Sequence, residues 1–340
     1  MEALTALQNT HRISVLVIGD VMLDAYLIGQ VNRISPEAPV PIVDVQKQNK
    51  RLGGAANVAM NLTALGAQVH LAAVIGDDSA GGEIQHLLDA QAIKTAALIE
   101  VPNRKTTVKT RVISNGQQLL RVDEEQSHNL EERWTEILIT RCQKIMTDEH
   151  IDTVIFEDYD KGTLTPLLIE SILAICSEKG IKTTVDPKFR NFNRYTKVDL
   201  FKPNLNEMQE GLGIAIHKES DVSLAQAVKR MQEQLEPSIS MVTLSERGVC
   251  FYAPEHAQAF QRIPAFEREI TDVSGAGDAV IAVASVLLAS DVPVWQIAAV
   301  ANLAGGLVCE KVGVVTVELE RLKAEWDNHA KVLAALMNSK

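Results

Sequence analysis

Solid apolar runs and amphipathic stretches alternate along most of this chain. Ile13–Asp20, "ISVLVIGD", is short, β-branched and ends in Gly-Asp, which predicts a strand buried on both faces. "AANVAMNLTALG" (Ala55–Gly66) predicts a helix closed by its glycine, and Ala67–Gly76 predicts the next strand. Strands are expected again at Thr153–Glu157, Ile181–Asp186, Val198–Phe201 and Ser240–Leu244. Between them lie a helix at Leu164–Lys179, followed by Gly180, and another starting near Asn204. Such alternation predicts an α/β fold with a mostly parallel sheet covered by helices on both faces.

Two stretches break the rhythm. Tyr26–Val45 carries three prolines and no helical period. Lys105–Asp123 alternates in hydrophobicity and contains Asn-Gly, a hairpin signal. Together they predict a small β-layer projecting from the main sheet as a lid, contributed by about residues 24–47 and 104–123. No repeat or low-complexity linker divides the chain, so residues 1–340 are expected to form a single domain plus the lid.

Composition narrows the functions. With 340 residues, 46% of them hydrophobic, the chain can bury a sizeable core. A net charge of −11 disfavours nucleic acid, and an anionic small substrate would need a local positive site. Cys142, Cys176, Cys250 and Cys309 lie in apolar runs without metal-ligand spacing, which predicts reduced, buried thiols and a cytoplasmic protein. The N-terminus does not read as a signal peptide, and the longest apolar run, Ala279–Ala289, is too short to span a membrane.

Candidate chemistry gathers in three places. In "ITDVSGAGDAVIAVASVLLAS" (Ile270–Ser290), Gly275-Ala276-Gly277 precedes an apolar helix whose first turn holds Asp278. Backbone N–H groups converging at a helix start bind anions. An acid beside them can accept the proton of a hydroxyl, the pairing that phosphoryl transfer requires; the alternative is an ordinary acid at a helix start. In "KPNLNEM" (Lys202–Met208), Asn204 and Glu207 share a helix face and can orient waters around Mg²⁺, with a capping box as the alternative. In Leu52–Gly66, Gly53 and Gly54 permit close approach of a ligand and Asn57 can bind sugar hydroxyls, or the glycines serve tight packing. A fourth signal is "RKTTVKTR" (Arg104–Arg111), basic within an acidic chain. Strand period places Lys105, Lys109 and Arg111 on one face, suited to a phosphorylated sugar, or to protecting a sheet edge.

In this order, "GGAANVAMNLTALG", "NLNE" and "DVSGAGD" are similar to the signatures of the ribokinase-like (PfkB) carbohydrate kinases, over nearly the whole chain. The resemblance implies an αβα sandwich with a β-lid, ATP and Mg²⁺. It implies Asp278 as catalytic base and Gly275, Ala276 and Gly277 as the anion hole. On the cofactor side it implies Asn204, Leu205, Asn206 and Glu207, the last holding metal through water. It also implies Ser245 and Gly248 in "VTLSERG" and Asn302 in "ANLAGGLVCEKVG". The chain departs from the family at Ser245, where glycine is common.

A narrower set, "GDVMLDAYLIGQVNRISPEAPVPIV", "RKTTVKTRVISNGQQLLRVDEE", "DYDKG", "VDPK" and "KPNLNE", resembles the D-glycero-β-D-manno-heptose 7-phosphate kinases of lipopolysaccharide precursor synthesis. Asp160 stands where a small residue is common in them. This resemblance implies ATP-dependent phosphorylation of the anomeric hydroxyl to the 1,7-bisphosphate. Asp24, Gly53, Gly54, Asn57, Lys105, Lys109, Arg111, Asp158, Lys161, Asp186 and Lys188 are then the expected substrate-side residues. A His-x-Gly-His motif, expected of a fused nucleotidyltransferase, is absent, so the chain reads as the kinase alone. A homodimer through the lids is expected, with no nucleic-acid or membrane partner. The alternatives are a PfkB kinase for another sugar and a non-catalytic sugar- or nucleotide-binding protein on the same fold.

Overall fold

Strand β1 (Ser14–Gly19) is buried at all six positions. Val15 and Val17 point into one core and Leu16 and Ile18 into a second, as the two-residue period of a strand dictates. A strand without a polar face belongs inside a sheet covered on both sides. The computed structural model of the protein, which describes residues 2–217, 220–254 and 260–338, shows that arrangement.

The later strands are β2 (Val21–Ile34), β3 (Pro41–Gly54), β4 (Gln68–Gly76), β5 (Ile93–Val101), β6 (Thr107–Ser114) and β7 (Gln117–Glu124). They continue with β8 (Thr153–Glu157), β9 (Lys182–Asp186), β10 (Leu200–Phe201), β11 (Ile239–Thr243), β12 (Val249–Tyr252) and β13 (Phe260–Ile263). Among the described residues, nine strands form the main sheet in the order β13-β12-β11-β10-β9-β8-β1-β4-β5. Its neighbours run parallel except at β11–β12 and β12–β13. The chain winds outward from β1 through β4 and β5, then returns to build the other half from β8. Ligands of open α/β sheets bind at such a reversal, outside the carboxyl ends of the strands. Here those ends carry Asp20, Glu157, Asp158 and Asp186.

Among the described residues, six helices cover one core: α1 (Glu2–Gln8), α2 (Ala55–Ala64), α3 (Ser79–Asp89) and, later in the chain, α8, α9 and α10. The other core lies under α4 (Glu132–Asp148), α5 (Pro166–Lys179), α6 (Leu205–Leu212) and α7 (Asp221–Leu235). The late helices are α8 (Ala276–Ala289), α9 (Val294–Cys309) and α10 (Leu319–Asn338). Local chemistry fixes the ends. α5 begins two residues later than Leu164 because the Thr165 hydroxyl accepts the Leu168 N–H at 3.2 Å, with Pro166 opening the first turn. No helix among the described residues is long and apolar enough to cross a membrane. The four cysteines are buried free thiols, and burial pushes those of Cys176 and Cys250 up to about 12.

The second sheet has the order β3-β2-β6-β7. Its long hairpin, β2–β3, starts one residue after Asp20 and ends at Gly54, where α2 begins; Val21, Leu23 and Leu52 root it in the core. The β6–β7 hairpin turns at Asn115-Gly116, both at positive φ (50° and 77°), the conformation that matches the twist of paired strands. β7 is an edge strand exposed at all eight positions.

Candidate active site

Gly275 opens α8 at φ 80°, and a Cβ there would come within 2.8 Å of the Asn57 amide, so the turn demands glycine. Asp278 follows in the first helical turn, only 4% exposed. It does not cap the helix. Its Oδ2 accepts from Asn57 Nδ2 at 2.6 Å and its Oδ1 from the Tyr159 hydroxyl at 2.8 Å. Burial pushes its carboxyl above the usual range, Asp186 pushes the same way, and the two donors offset part of the rise. The first-turn N–H groups, including those of Gly277 and Asp278, have no acceptor within the helix and are available to an anion. Asn57 is fully buried and its amide donates to Asp278, so here it positions the acid.

Behind the glycine turn lies an acid cluster. Glu157, Asp186 and Asp278 each offer an oxygen within 4.8 Å of the others, and all three are buried. Asp186 pairs with the buried Lys202 ammonium at 2.8 Å. Lys202 Nζ lies 3.7 Å from where a Gly277 Cβ would sit, which puts one positive charge beside the anion turn. Glu157 differs from its neighbours: it is fully buried, and neither of its oxygens has a hydrogen-bond partner. Burial, reinforced by Asp186 and Asp278, pushes its carboxyl well up. Oxygen donors of this kind suit a hard divalent cation, so the residues present fit the Mg²⁺ that the sequence resemblance implies.

Asn204 and Glu207 form the capping box. The Glu207 N–H donates to Asn204 Oδ1 at 2.9 Å and the Asn204 N–H to Glu207 Oε2 at 2.8 Å. The other Glu207 oxygen pairs with Lys188. Both oxygens are engaged, so the cap, left above as the alternative, is formed. Leu205 and Asn206 occupy the first positions of α6, with Asn206 exposed.

Asp20, at the end of β1, accepts the backbone N–H groups of Tyr159, Lys161 and Thr163 at 2.9–3.0 Å and so shapes the loop after β8. Asp158 serves that loop too. It accepts from the Asp160 N–H, the Asn191 amide and the Tyr195 hydroxyl, is 1% exposed, and is pushed by burial up to about 6. It therefore anchors the loop, with both of its oxygens accepting hydrogen bonds from the protein. Lys161 is drawn to Glu125, after β7, at 2.8 Å. Tyr159 lies between two cations, with Lys109 at 5.4 Å and Lys188 at 5.2 Å from its ring centre.

On the lid, Arg111 pairs with the buried Asp24, and Gly53 abuts that carboxylate. At Gly54, φ 60° and contact with the Asp20 carbonyl leave room for glycine alone. Lys109 has no carboxylate within ion-pair distance among the described residues; burial and the nearby Lys161 lower its pKa. Lys105 does not share their face. It precedes the first residue of β6, its N–H donates to Gln126 at 3.1 Å, and it lines a groove with Leu23, Ala25, Val108 and Thr110, to which neither Lys109 nor Arg111 contributes. Alternation cannot be extended past the end of a strand.

On the expected nucleotide side, Ser245 takes φ 53°, the left-handed conformation that glycine favours, and so keeps the backbone of the turn that Gly248 closes. Asn302, on α9, donates to the Pro264 carbonyl at 2.8 Å. Sequence reading passed over Glu157, Tyr159, Lys202 and Asp20. Each sits within three residues of a strand's carboxyl end, and that placement was the available signal.

A buried acid at a glycine-led helix start, a lysine ammonium beside that turn and a second, projecting β-sheet suit phosphoryl transfer on a ribokinase-like αβα fold. The pfkB family carbohydrate kinase model matches residues 12–321, and the chain belongs to that family. It is 38% identical over 309 residues to the bifunctional protein HldE of Aliarcobacter butzleri (strain RM4018), covering 91% of this chain and 63% of that protein. Against the bifunctional protein HldE of Desulfatibacillum aliphaticivorans it is 40% identical over 311 residues, covering 92% and 62%. The chain thus spans less than two thirds of these relatives' length. A phosphofructokinase-2 variant from Escherichia coli superposes with a TM-score of 0.75 at 16% identity, over 93% of this chain and 99% of that one.

Proposed function

We propose that the protein phosphorylates the anomeric hydroxyl of D-glycero-D-manno-heptose 7-phosphate, with ATP as donor and ADP and the 1,7-bisphosphate as products. The observation that carries the phosphotransferase chemistry is Asp278, a buried carboxylate at the first turn of α8. The sugar hydroxyl gives its proton to Asp278 as its oxygen attacks the terminal phosphorus, and the bond to ADP breaks. A weak base is enough, because in a loose transition state that proton leaves late. The N–H groups of the Gly275–Asp278 turn and the Lys202 ammonium receive charge on the moving phosphoryl group. Mg²⁺, when bound, would neutralise charge on the nucleotide phosphates, and the oxygens of Glu157, Asp186 and Asp278 would hold it, since both Glu207 oxygens are engaged by the cap and Lys188.

Two features support the choice of sugar. Three motifs shared with heptose 7-phosphate kinases bring Lys109 of the lid and Lys188 to the Tyr159 ring, and Lys109 has no carboxylate within ion-pair distance among the described residues. A panel of sugars and sugar phosphates, scored by ADP release, tests the reading. Heptose 7-phosphate should give the highest kcat/KM. Faster turnover of another sugar would overturn the substrate, and no turnover of any sugar would overturn the kinase reading.

A lid-mediated homodimer belongs to the same proposal. Ile34, Val45, Leu119, Leu120 and Val122 are exposed apolar residues on the lid, and β7 offers an unpaired edge. A tetrameric inhibited form is known of the structurally similar phosphofructokinase-2 from Escherichia coli. Leu120→Asp should lower the mass found by light scattering, and an unchanged mass would remove the lid from the interface.

A further inference from the structure

Arg51 spends its charge on backbone. It stands near the root of β3, half-buried, and its Nη1 donates to the carbonyls of Val312 and Val314 at 3.2 and 2.7 Å. Among the described residues it forms no ion pair. Its neighbour at the Tyr26 ring, Arg111, is paired with Asp24, and Arg268 with Glu310 and Glu325. The fit at Arg51 is close. Gly313, between the two carbonyls, takes φ 74°, and a Cβ there would come within 2.8 Å of the same Nη1. Two carbonyl oxygens directed at one point repel each other, and once covered they need a donor or a cation between them. The guanidinium is both.

What it holds is the approach to the glycine turn. The Gly313 N–H donates to Asp272 Oδ2 at 2.8 Å, and Asp272 Oδ1 accepts the Ser274 N–H at 3.0 Å. The Thr271 and Asp272 N–H groups both donate to the Cys309 carbonyl, at 2.8 and 3.1 Å, so the segment after α9 and the segment before α8 form one unit. Burial pushes the Asp272 carboxyl up, but hydrogen bonds from Ser274 and Gly313 outweigh it and hold the acid below the usual range. Asp272 is thus an ionised acceptor, and the loop it hangs on is fixed from the other side by Arg51.

We propose that Arg51 is a positioning residue for phosphoryl transfer, a built-in cation that fixes the 312–314 loop and, through Asp272, the Gly275–Asp278 turn. The inference rests on reading that turn as the anion site. Donors placed for the moving phosphoryl group lose much of their effect when they shift by a fraction of an ångström, whereas substrate binding draws on many other contacts. The loss on removing Arg51 therefore falls on kcat.

In an ADP-release assay, Arg51→Ala should lower kcat roughly ten- to a hundredfold. KM for ATP and for the sugar should stay within about twofold. Free guanidinium ion, added far below its denaturing range, should restore much of the lost kcat with saturation. Urea, of the same shape but uncharged, should not. Arg51→Lys keeps the charge and should keep most of kcat, while Arg51→Gln, similar in length and neutral, should match Arg51→Ala. Hydrogen exchange, measured without ATP or sugar, should be faster at the Ser274 and Gly313 amides of Arg51→Ala and Arg51→Gln, and guanidinium should slow it again in Arg51→Ala. Equal activity of the Gln and Lys variants, rescue by urea as good as by guanidinium, a raised sugar KM at unchanged kcat, or unchanged exchange at both amides would each overturn the proposal. A wild type that phosphorylates no sugar would defeat the proposed reaction instead, and the exchange result would still decide whether Arg51 holds the turn.

Discussion

Replacing Asp278 with Asn tests the centre of the mechanism with little change in shape. The asparagine can keep both contacts: its carbonyl faces the Asn57 amide, 2.6 Å from the present Oδ2, and its amide faces the Tyr159 oxygen, 2.8 Å from Oδ1. Two hydrogen bonds lose their charge assistance, a cost of about 2 kcal/mol in all. Removing one negative charge from beside Asp186 offsets part of it, so Tm should move by only a few degrees. What is lost is the proton acceptor. General-base catalysis contributes about 10²–10⁴-fold, or roughly 2.7–5.5 kcal/mol of barrier. In an ADP-release assay, kcat should fall at least about a hundredfold, with ATP binding by calorimetry nearly unchanged. The pH dependence adds an independent check. Burial raises the Asp278 carboxyl, and the base works only when ionised, so wild-type activity should fall with decreasing pH through a value above the ordinary aspartate range. The variant should lack that acid limb. An Asn variant within tenfold of the wild type, or one that keeps the limb, would refute Asp278 as the base.

Lys109→Met keeps most of the side chain's bulk and removes a charge that has no carboxylate within ion-pair distance among the described residues; kcat/KM for heptose 7-phosphate should fall roughly ten- to a hundredfold, the worth of a charge-assisted contact. Unphosphorylated heptose should be insensitive, and equal losses on both sugars would assign Lys109 to the lid's own structure. Tyr159→Phe removes one of the two donors that hold the Asp278 carboxyl down, so the acid limb of kcat/KM should move to higher pH. A limb that stays in place would mean that the titrating group is another acid.

Much of the fold was legible because its signals are local. β1 and β8 are continuous β-branched runs, α5 carries Thr165, Pro166 and Gly180 at its ends, and Asn115-Gly116 marks its hairpin. The elements of the site were legible for the same reason: Gly275–Asp278 and Asn204–Glu207 are contiguous motifs. Partnership was not. Nothing in the sequence says that Asn57 spends its amide on a residue 221 positions away, or that Arg111 is paired with Asp24 while Lys109 has no ion pair among the described residues. Lys105 shows the reverse failure. Its spacing from Lys109 was right for a shared face, but the strand begins only at Thr107. Glu157 reads as an ordinary polar end to a strand, and only the packing around it shows a buried carboxyl whose oxygens have no hydrogen-bond partner among the described residues.

The same contacts bear on how the lid communicates with the anion turn. Tyr26, on β2, has Arg51 and Arg111 each 5.5 Å from its ring centre. Arg111 is held by Asp24. Arg51 reaches out of the lid and donates to the carbonyls of Val312 and Val314, at 3.2 and 2.7 Å. Between those carbonyls the Gly313 N–H donates to Asp272 at 2.8 Å, and Asp272 also accepts the Ser274 N–H at 3.0 Å, one residue before the turn itself. Packed aromatic, guanidinium and backbone groups therefore run without a gap from the lid face to Gly275. An anionic substrate that competes with Asp24 for Arg111 acts on the first member of this series, and an anion at the glycine turn acts on the last. Lid position and anion-turn geometry share their supports, so on the proposed reading a sugar phosphate held at the lid would bear on kcat as well as on KM.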